Sequence, residues 1–335
     1  MIRVGQIGVG YWGKNLLRNF SELGDCEVTW ICDIAEDVRD RVRASHPNAR
    51  VTADAADLFA DNDLDAVIIA TPATTHATIA RAALAAGKHV FVEKPMALTV
   101  EDAQSLVDEA ARVDRILMVG HLLEYHPAFT CVKELIDRGD LGDVYYLYST
   151  RVNLGRVRED ENAMWSLAPH DISIALMMVR DEPVSVAASG HAYLQPGIED
   201  VAFVSLRFAR GTIAHMHVSW LDPHKVRQLT VVGSKKMAVV DDQESSEKVR
   251  IYDKGVNWTG QYQTYGEALT LRTGDIFIPQ IEMTEPLRVE CQTYLDAIAD
   301  GRPPRSDGRD GLRVVKVLAA ADESMKNGGI PVDIT

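Results

Sequence analysis

The sequence is poor in the features that would mark a secreted, membrane-spanning or nucleic-acid-binding chain. Its 335 residues hold four cysteines, Cys26, Cys32, Cys131 and Cys291, with no C-x-x-C spacing and mostly apolar neighbours. That excludes a disulfide framework or a zinc finger and predicts buried free thiols. No dense Lys/Arg run occurs and the formal charge is −14, so nucleic acid or an anionic membrane would be repelled. No apolar run reaches bilayer length, and the amino terminus enters a strand directly instead of opening a basic and then apolar leader. The expected location is the cytoplasm. His215 and His217 alternate along one strand, with His191 and His224 nearby, but no spacing fixes a third ligand and no metal is expected. Internal repeats and low-complexity tracts are also missing.

What is present is an ordinary enzyme composition, 46% hydrophobic and 25% charged. At this length one core is insufficient and two domains are expected, residues 1–122 and 123–335. A strand over residues 2–7 runs into Gly8-Val-Gly-Tyr-Trp-Gly13 and a helix. Gly8 permits a tight turn, Gly10 lets a pyrophosphate approach the backbone, and Gly13 lets helix and strand pack closely, with Tyr11 and Trp12 lining the same loop. A second strand, residues 28–32, ends at Asp33, placed to accept a ribose hydroxyl. Ile34, Ala35, Glu36 and Asp37 follow. That acidic setting disfavours a 2′-phosphate, so the expected cofactor is NAD and not NADP.

Strands and helices then alternate to residue 120, which predicts a doubly wound parallel sheet. The strand over residues 66–70 leads into Thr71-Pro72, and His76 begins the next helix, where it is a candidate to face the nicotinamide ribose or simply a solvated first-turn residue. The run Val90-Phe-Val-Glu-Lys-Pro95 is an apolar strand that stops at Glu93 and Lys94, because Pro95 has no N–H for the ladder. Charged groups at the carboxyl end of such a strand lie where open α/β sheets bind ligands. Gly120-His121 closes the next strand in the same way. A surface ion pair is the alternative reading for Glu93 and Lys94 taken alone.

Beyond residue 124 the period changes to two. Strands over residues 144–152, 184–192, 201–208, 212–219, 228–232 and 237–240 lack intervening helices and predict a large, mostly antiparallel sheet in an α+β domain. One face should pack on helices and the other should form a subunit contact in a homodimer or homotetramer. The loop over residues 253–273 has no clear assignment. Between the first two of these strands lie Asn153-Leu-Gly-Arg156-Val-Arg158, Asn162, Trp165 and Pro169-His170-Asp171. The stretch after His170 is apolar and helical, so His170 is expected at a helix amino terminus, neutral and able to accept a proton, or else merely capping the helix. Lys94 and His170 are the catalytic candidates. Tyr125, Asn153, Arg156, Arg158, Asn162, Trp165 and Asp171 are the further substrate-binding candidates, with the two arginines suited to a diphosphate or else solvent-exposed beside Glu159, Asp160 and Glu161.

Taken together, the Gly8 to Gly13 fingerprint, Asp33, Thr71-Pro72 to His76, Glu93-Lys94-Pro95, Gly120-His121 and His170-Asp171 resemble the glucose-fructose oxidoreductase, inositol dehydrogenase and MocA family over essentially the whole chain. The resemblance implies an NAD(P)-dependent oxidoreductase acting on a sugar or cyclitol, with Lys94 in the substrate pocket and His170 in proton transfer. The Asn153 to Arg158 run and Trp165 to Asp171 look like the branch of nucleotide-sugar 3-dehydrogenases acting on UDP-N-acetylglucosamine or its uronate. An inositol or free-sugar dehydrogenase and a non-catalytic NAD-bound sensor are the other two readings. One position departs from the pattern. Many members carry Asp four residues before the histidine, and here Ser166 stands there, which shifts acid-base work to Lys94 or to Asp171 as a substitute.

Overall fold

The computed structural model describes residues 1–155, 157–159, 161–258 and 269–334. It divides into two compact units, Met1–Tyr125 with Thr284–Ala319, and His126–Met283 with Ala320–Thr335.

The first unit is a six-stranded parallel sheet built from β1 (Ile2–Ile7), β2 (Cys26–Cys32), β3 (Arg50–Thr52), β4 (Ala66–Ile69), β5 (His89–Glu93) and β6 (Leu117–Gly120). The strand order is β3-β2-β1-β4-β5-β6. The crossovers carry α1 (Gly13–Glu22), α2 (Glu36–Ser45), α3 (Ala56–Ala60), α4 (Ala73–Ala85) and α5 (Val100–Val113). All four residues of β4 are buried, as are Val90, Phe91 and Val92 of β5, which explains why these strands are continuously apolar instead of alternating. The order reverses between β1 and β4, and it is at such a switch point that a doubly wound sheet opens a crevice at its carboxyl edge.

The first unit is not one continuous stretch of chain. After a short 3-10 turn (Leu122–Tyr125), the chain leaves and returns with α8 (Pro286–Asp300) and the first part of α9 (Gly308–Lys326). The reason is apolar burial. Leu287, Cys291, Tyr294 and Leu295 of α8 complete a cluster with Val4, Leu16, Phe20, Phe91 and Met118. Tyr294 meets Phe91 and Phe20 edge-on, with centroids 5.7 and 6.3 Å away, the geometry that aromatic quadrupoles favour.

The second unit holds α6 (Pro127–Asp137), β7 (Val144–Val152), α7 (Ala163–Val179), β8 (Pro183–His191), β9 (Val201–Phe208), β10 (Ile213–Ser219), β11 (Val226–Gly233), β12 (Met237–Asp241) and β13 (Val249–Tyr252). It also holds a hairpin of β14 (Gly255–Trp258) and β15 (Leu269–Arg272), then β16 (Ile276–Phe277) and β17 (Val332–Asp333). That hairpin occupies the two ends of the loop that sequence left unassigned. Nine strands form one sheet in the order β16-β13-β12-β11-β7-β10-β9-β8-β17. It is antiparallel except between β7 and β10, which run parallel. Along β9, Ala202, Val204, Leu206 and Phe208 are buried, whereas Phe203 on the opposite face is 42% exposed. The β7 side chains Tyr146 and Tyr148 are likewise exposed and stack on each other. His217 stacks on Phe203 at 4.4 Å, which places it on the open sheet face.

The Tyr294 hydroxyl is fully buried and has no hydrogen-bond partner among the described residues. A buried unmatched hydroxyl costs about 1–3 kcal/mol. Tyr294→Phe should therefore leave the protein as stable as wild type or more so, measured by urea denaturation; a loss of more than about 1 kcal/mol would show that the hydroxyl has a partner.

Candidate active site

The glycine-rich loop has the geometry its spacing predicts. Gly8 has φ +89°, and a Cβ there would lie 2.6 Å from the Ala70 carbonyl oxygen; at Gly13 it would lie 2.3 Å from the Gly8 carbonyl oxygen. These two glycines let β1, β4 and α1 approach. A Cβ on Gly10 would meet nothing within 4 Å, so the space above it is open for a ligand. Gln6, which sequence reasoning missed, donates from one amide nitrogen to the Gly8 and Gly13 carbonyls at 2.9 and 2.7 Å and holds the turn from beneath. Tyr11 is 85% exposed and Ile34 is 90% exposed, which suits side chains that cover a bound dinucleotide.

Asp33 ends β2 and shapes the loop itself. Its carboxylate accepts the Val9 N–H at 2.8 Å and the Ala35 N–H at 2.9 Å, and each oxygen keeps a further lone pair for a ribose hydroxyl. Arg39 was not anticipated near it. Its guanidinium donates to the backbone carbonyls of Asp33 and Ile34 at 2.9 and 2.8 Å and so turns these carbonyls outward at the end of the strand.

At the carboxyl end of β5, Glu93 is buried while Lys94 is half-buried. The Trp12 indole N–H donates to Glu93 Oε1 at 2.5 Å and the Lys94 N–H donates to Oε2 at 3.2 Å. Burial pushes the Glu93 carboxyl from about 4.5 up to about 7, against the opposing pull of Trp12 and Lys94. Beside it, His121 at the end of β6 is buried, and neither ring nitrogen has a partner among the described residues. Burial and then the Lys94 ammonium lower its pKa to about 3, so the ring is a neutral imidazole with one donor and one acceptor unmatched. Such a group, next to an ammonium at the carboxyl edge of a parallel sheet, suits a bound polar ligand.

Behind these lie carboxyls that sequence pattern did not reveal. Glu290 of α8 is fully buried with both oxygens unpartnered among the described residues, and burial followed by Glu93 pushes it well up. Glu124 is buried too, raised by burial and by the facing Asp310. Both sit on helical segments whose neighbours in sequence are apolar, which reads as core.

Several candidates are placed otherwise than expected. His76 is only 1% exposed, and its ring nitrogens lie 2.8 Å from the Pro95 and Thr71 carbonyl oxygens. It braces the two strand ends, and its burial sets aside the reading of a solvated first-turn residue. Tyr125 is 4% exposed with its hydroxyl 2.9 Å from Ser306 Oγ, so it belongs to the first unit's core and not to a substrate surface.

In the second unit His170 is not at a helix amino terminus. The helix starts at Ala163, capped by Asn162, whose side chain accepts the Trp165 N–H at 3.0 Å. Pro169 is accommodated inside it, although it lacks the amide that would bond the Trp165 carbonyl. His170 therefore lies about two turns in, where the end-of-helix dipole no longer acts. Ser166 is buried one turn before it. Asp171 does not substitute for the missing acid: Arg151 of β7 donates to its carboxylate at 2.6 Å, both side chains are buried, and adjacent helix residues face different ways. Asn162 also donates to Glu199 at 2.8 Å. Asn153 lies just past β7, where its N–H donates to the Ser219 carbonyl, and Trp165 is half-buried on α7. Arg158 pairs with Glu161 at 2.7 Å and stays half-exposed, and Arg156 lies outside the described residues.

Folded Glu93 keeps its proton to about pH 7, whereas an unfolded glutamate releases it near 4.5. The folded state binds the extra proton between those values, so stability falls as pH rises through that window. Glu93→Gln should abolish this fall, gaining up to about 3 kcal/mol relative to wild type between pH 4 and pH 8. Urea denaturation at each pH measures the difference; parallel profiles for the two proteins would contradict the assignment.

Comparison with known proteins fits this geometry. Residues 2–121 match the oxidoreductase family with an NAD-binding Rossmann fold (Gfo/Idh/MocA), and residues 129–239 match the C-terminal domain of the same family. The UDP-N-acetylglucosamine 3-dehydrogenase of Acidithiobacillus ferrooxidans is 28% identical, with 96% of this chain and 95% of the relative covered. The myo-inositol 2-dehydrogenase of Thermotoga maritima is 25% identical over 97% of this chain and 96% of its own. Among solved structures, GenD2 from gentamicin A biosynthesis, in complex with NAD, superposes with a TM-score of 0.83 at 26% identity, covering 100% of this chain and 96% of that one. With the fingerprint loop, Asp33 and the sheet order all in place, the chain belongs to the Gfo/Idh/MocA family of oxidoreductases, and its first unit is an NAD-binding Rossmann domain.

Proposed function

We propose that the protein oxidises a secondary hydroxyl of a sugar, and that its substrate is a nucleotide sugar, oxidised at the 3-hydroxyl of a UDP-N-acetylhexosamine or the corresponding uronate. Family membership supports the broader part, an NAD-binding dehydrogenase acting on sugars or polyols. The observation that carries the chemistry is Lys94 at the carboxyl end of β5, with the neutral, buried His121 beside it. Bound NAD supplies the hydride acceptor. In this reading Lys94 donates a hydrogen bond to the hydroxyl oxygen and favours its alkoxide, and His170 takes the proton. With Ser166 in place of a carboxylate and Asp171 held by Arg151, stabilisation of the developing charge falls mainly on Lys94.

Support for a nucleotide sugar comes from the likeness to the Acidithiobacillus enzyme and from the run that ends in Arg158. Arg158 is half-exposed although its partner Glu161 is largely buried, so its guanidinium keeps open N–H donors for a diphosphate. The nearly equal likeness to inositol dehydrogenases makes cyclitol oxidation the second reading. The open face of the nine-stranded sheet, with Tyr146, Tyr148 and Phe203 exposed, supports association of two or four copies of the chain.

A panel of UDP-N-acetylhexosamines, their uronates, free sugars and inositols, followed by NADH absorbance, decides the substrate. Turnover confined to inositols would favour the second reading, and no turnover with NAD firmly bound would favour a sensor. Lys94→Ala should lower turnover by at least about a thousandfold while NAD still binds; unchanged turnover would remove Lys94 from the mechanism. Tyr148→Arg should shift sedimentation toward the monomer, whereas a wild type that already sediments as a monomer would refute the association.

A further inference from the structure

Trp12 stands between the two ligand-facing parts of the first unit, and its indole reaches from the glycine-rich loop to the end of β5. We propose that Trp12 is a positioning residue: through its indole N–H on the Glu93 carboxylate it fixes the loop before α1 to the strand that carries Lys94, so that the grip on NAD follows the ionisation of Glu93. The inference uses the NAD-binding assignment and is independent of which sugar is oxidised.

The indole nitrogen is a donor only, and its bond strengthens when the acceptor is ionised. The Glu93 carboxyl has nowhere else to turn. A Cβ on Gly120 would lie 3.1 Å from its carboxyl carbon and from both oxygens, so the end of β6 packs directly on it. On its own strand, the Lys94 N–H donates to the second oxygen and the Lys94 ammonium adds attraction. From α8, Glu290 faces it, fully buried and without a partner among the described residues, and a carboxyl so placed is neutral. Cys291, next to Glu290, is also buried and is a neutral thiol, its pKa raised well above the ordinary range by burial and then by the carboxyls around it. His121, at the end of β6, is neutral as well. The cations and donors acting on the Glu93 anion are thus Lys94 and Trp12.

Trp12 precedes the first residue of α1, with the open space of Gly10 on one side and the tight packing of Gly13 on the other. The free N–H groups of the first turn are those that meet a pyrophosphate. Fixing Trp12 fixes their direction. When Glu93 gains a proton the latch weakens from a charge-assisted bond to a neutral one, and the first turn is held less firmly.

The test is NAD binding by calorimetry between about pH 5.5 and pH 8.5. Wild type should bind NAD more weakly as pH falls through about 7. Trp12→Phe keeps the ring and deletes the donor; it should bind about tenfold more weakly at the alkaline end and lose the pH step. In turnover, KM for NAD should rise while kcat at saturating NAD is kept. Wild-type affinity in Trp12→Phe across the range, or an unchanged pH step, would overturn the proposal. In the unsubstituted protein, the Trp12 indole N–H resonance should titrate with a midpoint near 7 and become flat in Glu93→Gln. A resonance that does not respond to pH in wild type would overturn the proposal without recourse to any variant.

Discussion

Desolvation at the carboxyl end of β5 is the constraint on which the candidate site depends. A parallel strand covered on both faces delivers whatever follows it to a place with little water, and here the chain follows with Glu93 and Lys94. Burial then sets the charge state of the groups gathered there. Glu93 is held half-way between its two charge states near neutrality. Glu290 behind it is kept neutral, and the adjacent ammonium helps keep His121 uncharged. Among the described residues, polar atoms of His121 and Glu290 are left unmatched here, while the neighbouring core cluster is mostly aliphatic and aromatic. Polar groups left unmatched in this way are where a fold departs from the rules of stability for the sake of a ligand.

The second unit solves a different problem. Its helix α7 is apolar over much of its length and most of its residues are buried, and two charged pairs lie within the unit. Arg151 and Asp171 neutralise each other. Asp242 is lowered to about 2, chiefly by its hydrogen bond with His126. Pairing is incomplete there too: among the described residues, buried atoms of Ser149, Asp200 and Arg227 have no hydrogen-bond partner.

The family models cover both halves of this chain, and relatives with similar identity to it are named for different substrates, a UDP-sugar and an inositol. Identities of 25 to 28% do not choose between such substrates.

How much was legible in the sequence follows from the range of the interactions involved. Periodicity and glycine spacing are local, so the alternation of strands and helices, the phosphate loop, Asp33 and the placement of Lys94 could all be read from residues close together in the chain. The same holds for the period-two strands whose exposed face carries Tyr148 and Phe203. Local reading failed where a distant segment decides. The apolar run after His170 points to a helix start there, whereas Asn162 caps the helix about two turns earlier. Local reading leaves His76 between a ribose contact and a solvated first turn and offers Tyr125 for substrate binding, whereas packing buries them against Pro95 and Ser306. It gave no hint that α8, nearly 200 residues after β5, supplies Glu290 to the back of Glu93, or that Trp12 reaches 81 residues along the chain to the same carboxyl. The sequence by itself determined which groups are available and which strand ends carry them. Only the tertiary structure decided which of them lose water together, because desolvation and charge coupling depend on through-space neighbours that no local pattern encodes.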